Sequence, residues 1–202
     1  MSKIKYFFKQ SWVMMIATFS FGLTLALAQT TLGPKIEKQN QLRMDHFMQE
    51  LISEANRFEI IAEEIEIQSL EGKALNTTIY QALAGDGRIA GYAFTAQGPG
   101  WGGTIKLVIA VDSSFEKILG YQVLSCNETP NLGDKIKDEE FRSQFSGANV
   151  EIFELTKVGD RSVIDNRIVA ITGATYSSQY VVEIFNSHID LVRQELESRG
   201  IL

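Results

Sequence analysis

The chain has 202 residues, of which 45% are hydrophobic and 22% are charged, and its formal net charge is −6. These values are typical of a globular domain with a packed core and a small appendage, and they exclude collagenous and disordered classes. Basic residues are scattered among acidic ones, so no nucleic-acid-binding surface is expected. The single cysteine, Cys126, excludes an intramolecular disulfide, and no spacing of Cys and His typical of a metal site is present.

The amino-terminal segment has the composition of a membrane anchor. Lysines near the start precede an uncharged, mostly apolar run over residues 11–28. A membrane-spanning helix needs about 20 residues, with about 17 as the lower bound. We therefore predict a single-pass anchor over residues 1–29 in the inner or plasma membrane, with the rest of the chain on the extracytoplasmic (periplasmic) side, because lysines favour the cytoplasm. A cleaved signal peptide is the alternative, and it gives the folded domain the same location.

A helical connector is predicted over residues 30–70. Gly33-Pro34 is expected to end the membrane segment. Between Lys35 and Ile67 the apolar residues recur mostly at intervals of three and four, which is typical of amphipathic helices.

Beyond Gly72 the pattern changes to alternating, β-favouring segments separated by glycine-rich turns, and Gly85-Asp86-Gly87 is typical of a hairpin. The fold class predicted is α+β: an antiparallel sheet flanked by helices, preceded by one N-terminal transmembrane helix, with the domain over residues 71–202. We expect strands over 77–84, 88–96, 104–111, 118–125, 150–156 and 162–171, a turn at Gly159-Asp160, a short helix over 138–145 and a terminal helix over 177–199.

The segment Thr172-Gly173-Ala174-Thr175 leads from a predicted strand into the terminal helix. Unsatisfied backbone N–H groups and the helix dipole favour an anion at such a place, and the small residues allow a ligand to approach the backbone. Hydroxyl donors stand at four positions, Thr172, Thr175, Ser177 and Ser178. The alternative is an ordinary helix cap, since Ser and Thr are preferred caps whatever the function.

The same segment resembles the flavinylation motif (Ser/Thr-Gly-Ala-Thr) of FMN-binding domains, found in the G subunit of the Rnf electron-transport complex and the C subunit of the sodium-pumping NADH:quinone reductase. Two further segments resemble that family in the same order: the loop Gly98-Pro99-Gly100-Trp101-Gly102-Gly103, and Glu128-Thr129-Pro130-Asn131-Leu132-Gly133, which is similar to Glu-Thr-Pro-Gly-Leu-Gly. Asn131 replaces the usual glycine, and Asn tolerates a left-handed backbone. Cys126 stands where many relatives have histidine.

The resemblance implies that FMN is joined covalently, through its phosphate, to the hydroxyl of Thr175. It further implies that a separate flavin transferase, using FAD and magnesium, makes this bond. Asp165 is the candidate for the acidic position that often precedes the motif. The remaining cofactor-binding candidates are Thr172, Gly173, Ala174, Ser177 and Ser178 around the phosphate, and Glu128, Thr129, Leu132 and Gly133 at the isoalloxazine or ribityl group.

The function that follows from the resemblance is that of an electron-carrier subunit in a membrane-bound Rnf-type ferredoxin:NAD oxidoreductase, with other membrane subunits as partners. Such a chain is a redox subunit of a translocating complex and has no catalytic residues of its own. The short chain favours the Rnf-type subunit over that of the sodium-pumping reductase. Alternatives are a flavinylated subunit of another extracytoplasmic reductase and a non-redox, membrane-anchored binding domain.

Overall fold

The computed structural model describes residues 2–68 and 74–202, and it divides into two compact units, Met1–Arg43 and Met44–Leu202. The first helix, α1, spans Ser2–Leu51. Five strands follow: β1 (Ala55–Gln68), β2 (Ala74–Ala84), β3 (Ile89–Gly98), β4 (Ile105–Asp112) and β5 (Ile118–Ser125). The remaining elements are a 3-10 turn (Gly133–Lys137), α2 (Glu139–Arg142), β6 (Glu154–Thr156), β7 (Arg167–Val169) and α3 (Thr175–Ser198).

The first unit consists of helix with an apolar, exposed surface. Among the described residues, one helical stretch, Ser11–Leu51, is long and apolar enough to cross a membrane. Large apolar side chains such as Trp12, Phe19 and Phe21 are 55%, 73% and 68% exposed. A surface of this kind is unfavourable in water and suits a lipid environment. The predicted N-terminal apolar helix is thus confirmed, and it is long and apolar enough to span a membrane.

The helix does not stop at Gly33-Pro34, where the membrane segment was expected to end. Pro34 lies inside α1, which continues to Leu51. A proline removes one backbone hydrogen bond, and the helix continues because its other hydrogen bonds remain. The end of the membrane segment at Gly33-Pro34 stays a prediction, because the helix itself runs through these residues.

Ala55–Gln68 is a strand, so the helical connector predicted over residues 30–70 is wrong there, and its last two residues lie outside the described part of the chain. β1 pairs antiparallel with β2 along most of its length. Ile61 and Ile65 are four residues apart, a spacing that fits one face of a helix and equally one face of a strand. Isoleucine is β-branched and fits the pleated surface of a sheet. Pairing with β2 therefore decides in favour of a strand over a helix.

The five strands form an antiparallel sheet in the order β1-β2-β3-β4-β5. The predicted hairpin at Gly85-Asp86-Gly87 is present, with the Ala84 N–H donating to the Arg88 carbonyl oxygen at 2.8 Å and Gly87 at φ +84°. Short connections join β2 to β3 and β4 to β5, as the sequence predicted, and a loop leads from β3 to β4. The predicted α+β class, an antiparallel sheet flanked by helices, is therefore confirmed.

Each face of the sheet is covered by helix within the second unit. The buried face of α3 includes Ile184 and Phe185, which belong to the larger apolar core. The other face packs against the last turns of α1, where Met48 and Ile52 are 0% and 3% exposed. The end of α1 is thus part of the core of the folded domain.

The last two strands differ from their prediction. β6 and β7 are three residues each and pair in parallel, with Glu154 beside Arg167. Strands that run in parallel cannot be joined by a tight hairpin. Gly159-Asp160 is therefore not the turn of a hairpin, and the strands predicted over 150–156 and 162–171 are mostly irregular chain. This chain leads through β7 into the Thr172–Thr175 segment.

Candidate functional site

The Thr172–Thr175 segment forms the turn between β7 and α3. Gly173 has φ +83°, a left-handed conformation that favours glycine. Ala174 occupies the N-cap position, and no side chain caps the helix. The hydroxyl residues of the motif are therefore not serving as the ordinary helix cap that the sequence left open as an alternative.

Two hydroxyl groups of the motif are unengaged. Thr175 is the first residue of α3 and is half-buried, and Thr172 lies exposed in the preceding turn. Within residues 2–68 and 74–202, neither side-chain hydroxyl makes a hydrogen bond. Thr172 also borders a cavity of about 190 Å³ whose lining includes Lys135 and Arg161. The Thr175 oxygen is consequently free to form a new bond.

Two other hydroxyl groups are taken up by protein atoms. Ser178 is 0% exposed, and its Oγ donates to the Ala174 carbonyl oxygen at 3.0 Å and accepts from the Ile171 N–H at 3.0 Å. Ser177 donates from its Oγ to Oε2 of Glu128 at 2.6 Å. Contact of either serine with a cofactor stays a prediction, and in this structure both stabilise the turn.

The loop that begins at Glu128 lies against the motif. Glu128 is 6% exposed, and its Oε1 accepts the Gly102 N–H at 3.2 Å. Leu132 is 45% exposed, and its Cδ2 lies 3.4 Å from the position that a Cβ on Gly173 would occupy. Asn131 has φ +61°, which confirms the left-handed backbone expected at this position.

The other members of this loop differ in exposure. Thr129 is exposed and Gly133 is buried next to Ser177. Thr129 and Leu132 are thus the members of the predicted flavin-contacting set that face solvent. Glu128 and Gly133 face inward, toward α3.

An exposed aromatic pair lies next to Thr175. The rings of Trp101 and Tyr176 are stacked, with centroids 5.2 Å apart and an angle of 25° between planes. Both side chains are largely exposed, at 66% and 65%. Neither was among the predicted cofactor-binding residues, although an aromatic residue directly after Thr175 and another in a glycine-rich loop were visible in the sequence.

Asp165 is engaged away from the motif. Its carboxylate accepts from the backbone N–H of Arg167 at 2.8 Å and from the Arg167 guanidinium. The backbone hydrogen bond and the guanidinium both hold the pKa of Asp165 below its ordinary value. Its predicted place in the motif stays a prediction, and its visible partner is Arg167.

The arrangement fits a phosphate-bearing flavin. The first amides of a helix lack intrahelical acceptors, and the dipole is positive at that end. α3 has no acidic residue in its first turn to repel an anion. Gly173 is exposed and leaves its backbone accessible, and the free Thr175 hydroxyl stands at the helix start beside exposed apolar side chains. No group of three or more potential metal ligands occurs among the described residues.

Comparison with known proteins defines the class. The sequence of residues 100–190 matches the FMN-binding domain family. This region includes most of the glycine-rich loop, the Glu128 loop and the Thr172–Thr175 turn. The chain is 30% identical over 193 residues to the G subunit of the ion-translocating oxidoreductase complex of Methanosarcina acetivorans, covering 95% of this chain and 97% of the relative. It is 32% identical over 169 residues to the G subunit of the proton-translocating ferredoxin:NAD(+) oxidoreductase complex of Clostridium ljungdahlii, covering 83% and 82%.

The chain therefore belongs to the family of G subunits of ion-translocating (Rnf-type) oxidoreductase complexes, which contain an FMN-binding domain. Among solved structures, NqrC of Shewanella oneidensis superimposes with a TM-score of 0.52 at 22% identity, covering 66% of this chain and 65% of that chain. The C subunit of the Na(+)-translocating NADH-quinone reductase of Parabacteroides distasonis gives 0.51 at 22% identity, covering 69% and 77%. These likenesses show a shared fold. Family membership supports FMN as the cofactor and an electron-carrier role.

Proposed function

We propose that the chain is the electron-carrier subunit of a membrane-bound Rnf-type ferredoxin:NAD oxidoreductase, with FMN bound covalently through its phosphate to Thr175. The names of the relatives from Clostridium ljungdahlii and Acetobacterium woodii, both G subunits of ferredoxin:NAD(+) oxidoreductase complexes, support the reaction. The redox chemistry belongs to the flavin, and the protein supplies its attachment and surroundings.

The observation that carries the proposal is the state of the Thr175 hydroxyl. It is unengaged within the described residues, and it stands at the first residue of a helix that no side chain caps. Attachment would form one bond, from Oγ1 of Thr175 to the FMN phosphorus of FAD, and break the bond from that phosphorus to AMP. The hydroxyl proton is released, so the attachment is a phosphoryl-group transfer without net oxidation. A flavin transferase is the expected catalyst.

The proposed residues divide between the two parts of the cofactor. Thr172, Gly173 and Ala174 are proposed to surround the phosphate, because they form the turn just before Thr175. Thr129 and Leu132 are proposed to contact the isoalloxazine or ribityl group from the neighbouring loop, since both are exposed.

The proposed location is a membrane, with the flavin on the extracytoplasmic side. Residues 1–29 are proposed to be the anchor, and the flavin-bearing domain is proposed to lie within residues 71–202. The lysines near the start favour the cytoplasm for the amino terminus. Other membrane subunits of the complex are the proposed partners.

The decisive experiment is intact-mass measurement of the full chain after co-expression with a flavin transferase. Wild type is expected to gain the mass of one FMN less one water, and peptide mapping should locate the addition on Thr175. Thr175→Ala is expected to gain nothing, whereas the control Thr104→Ala, at an exposed threonine outside the motif, should be modified fully. Colourless wild-type protein without added mass would favour a non-redox binding domain.

A further inference from the structure

We infer that Glu128 is a positioning residue whose buried carboxylate ties the loop of residues 98–103 to the first turn of α3 and thereby holds Thr175 in place for flavin attachment. The inference rests on the proposed function. Glu128 is inferred to act through its hydrogen bonds to Ser177 and Gly102, and not by contacting the flavin itself.

The two oxygens of the Glu128 carboxylate are bonded to two different parts of the chain. Oε2 accepts the Ser177 hydroxyl at 2.6 Å, and Oε1 accepts the Gly102 N–H at 3.2 Å. The residue is 6% exposed, so these donors stabilise a carboxylate that has little access to water. Hydrogen bonds to a charged acceptor are roughly twice as strong as neutral ones. One side chain therefore joins three segments that are distant in sequence.

Glycines in both loops make room for this carboxylate. A Cβ on Gly133 would lie 2.5 Å from Oγ of Ser177 and 2.6 Å from Oε2 of Glu128. A Cβ on Gly100 would overlap Oε1 of Glu128, and one on Gly102 would overlap the Asn127 carbonyl oxygen. Gly100 and Gly133 do not have positive φ angles, so close packing is the reason for glycine there. Gly100 and Gly133 thus leave the space that the Glu128 carboxylate and its contacts occupy.

The contacts of Glu128 lie next to the exposed features of the site. Trp101 precedes Gly102, and Tyr176 precedes Ser177; their rings are stacked. Thr175 lies two residues before Ser177, in the same first turn of α3. Loss of the carboxylate should therefore free the loop from the helix and leave Thr175 less well fixed.

The first experiment needs no flavin. Amide hydrogen exchange of residues 98–103 is compared between wild type, Glu128→Ala and the control Glu151→Ala, which removes an exposed carboxylate elsewhere. Exchange at Gly102 is expected to become about tenfold faster or more in Glu128→Ala only, because a charged acceptor is lost. Unchanged exchange would overturn the inference, whether or not Thr175 is ever modified.

The second experiment measures the initial rate of FMN attachment by intact mass. Glu128→Ala and Ser177→Ala are each expected to slow attachment about tenfold, and the double variant should be no slower than Glu128→Ala, because residues acting as one unit are not additive. Losses that multiply in the double variant would indicate independent flavin contacts and would contradict the inference. So would attachment at the wild-type rate in both single variants.

Two further variants, Ser177→Ala and Gly133→Ala, keep the test decisive if Glu128→Ala does not fold. Ser177→Ala removes one hydroxyl, and Gly133→Ala crowds the Ser177–Glu128 contact without changing charge. Both should remain cooperatively folded in thermal unfolding and show the slow attachment. If wild type itself is not modified, the proposed function fails, while the exchange experiment still decides the inference.

Discussion

The buried imidazole of His188 in α3 accepts a hydrogen bond from the backbone N–H of Gln97, across 91 positions of sequence. Nδ1 lies 2.8 Å from the Ile184 carbonyl oxygen, which can only accept, so Nδ1 carries the proton and Nε2 is the acceptor for Gln97. A protonated ring would point an N–H at the N–H of Gln97. The geometry therefore requires neutral His188 at the base of the loop of residues 98–103.

The free energy of unfolding is expected to decrease at acidic pH, because His188 binds a proton more readily in the unfolded chain. Burial, partly opposed by the hydrogen bond to Ile184, holds the pKa of His188 below its ordinary value of 6.5. Protonation thus favours the unfolded chain. The stability is fully present above pH 6.5 and is lost as pH falls from there toward the lowered pKa of the folded state, by at most about 1.4 kcal/mol per pH unit.

Thermal unfolding of the solubilised chain between pH 7.5 and pH 5 tests this expectation. His188→Gln cannot titrate, so it should be less stable at pH 7.5 but should lose less stability on acidification than wild type. Exposed carboxylates such as Asp86 and Asp160 are present in both proteins and cancel in the comparison. Equal losses in the two proteins would show that His188 is not the titrating group.

Much of the sheet was predictable because its strands are short runs of β-favouring residues that are bounded by turn-forming residues. The hairpin at Gly85-Asp86-Gly87 and the strands β2 to β5 follow from local sequence alone. The β1 strand did not, because Ile61 and Ile65 fit two periodicities and the choice depends on pairing with β2. The parallel pairing of β6 with β7 likewise depends on contacts that local sequence does not contain.

The sequence predicted which segments form the candidate site, but it did not predict which contacts their side chains make. Family order indicated that the segments containing Trp101, Glu128 and Thr175 belong to one site. The structure shows that Glu128 faces Ser177 while Trp101 faces Tyr176. Sequence spacing does not tell which side of a loop a side chain occupies. That information comes from packing.

Phe185 is expected to be essential for stability. Its ring stacks on Phe145 at a centroid distance of 4.5 Å and meets Tyr121 and Phe153 edge-on at 5.4 and 5.7 Å. Phe185→Ala should cost about 3–5 kcal/mol of unfolding free energy, because it leaves a cavity in this cluster. Denaturant unfolding measures the loss. Leu191→Ala, on the partly exposed side of the same helix, serves as the control and should cost much less.

The end of α1 is expected to contribute to the core of the domain. Met48 is 0% exposed and packs with Ile52, Ala82 and Val108. Met48→Ala should therefore cost about 2–5 kcal/mol. Leu42→Ala, at an exposed position on the same helix, should leave the unfolding free energy nearly unchanged. Equal effects of the two substitutions would mean that α1 does not end in the core.

Thr175→Ser should retain flavin attachment at a reduced rate. The serine keeps the hydroxyl that forms the phosphoester, but it lacks the methyl group that restricts χ1 of threonine. Its oxygen therefore samples more rotamers at the start of α3, and fewer of them face the incoming phosphorus. Time-resolved intact mass should show slower attachment, with a final mass gain equal to that of wild type. Complete loss would mean that the methyl group is itself recognised, and an unchanged rate would mean that rotamer restriction at Thr175 contributes nothing.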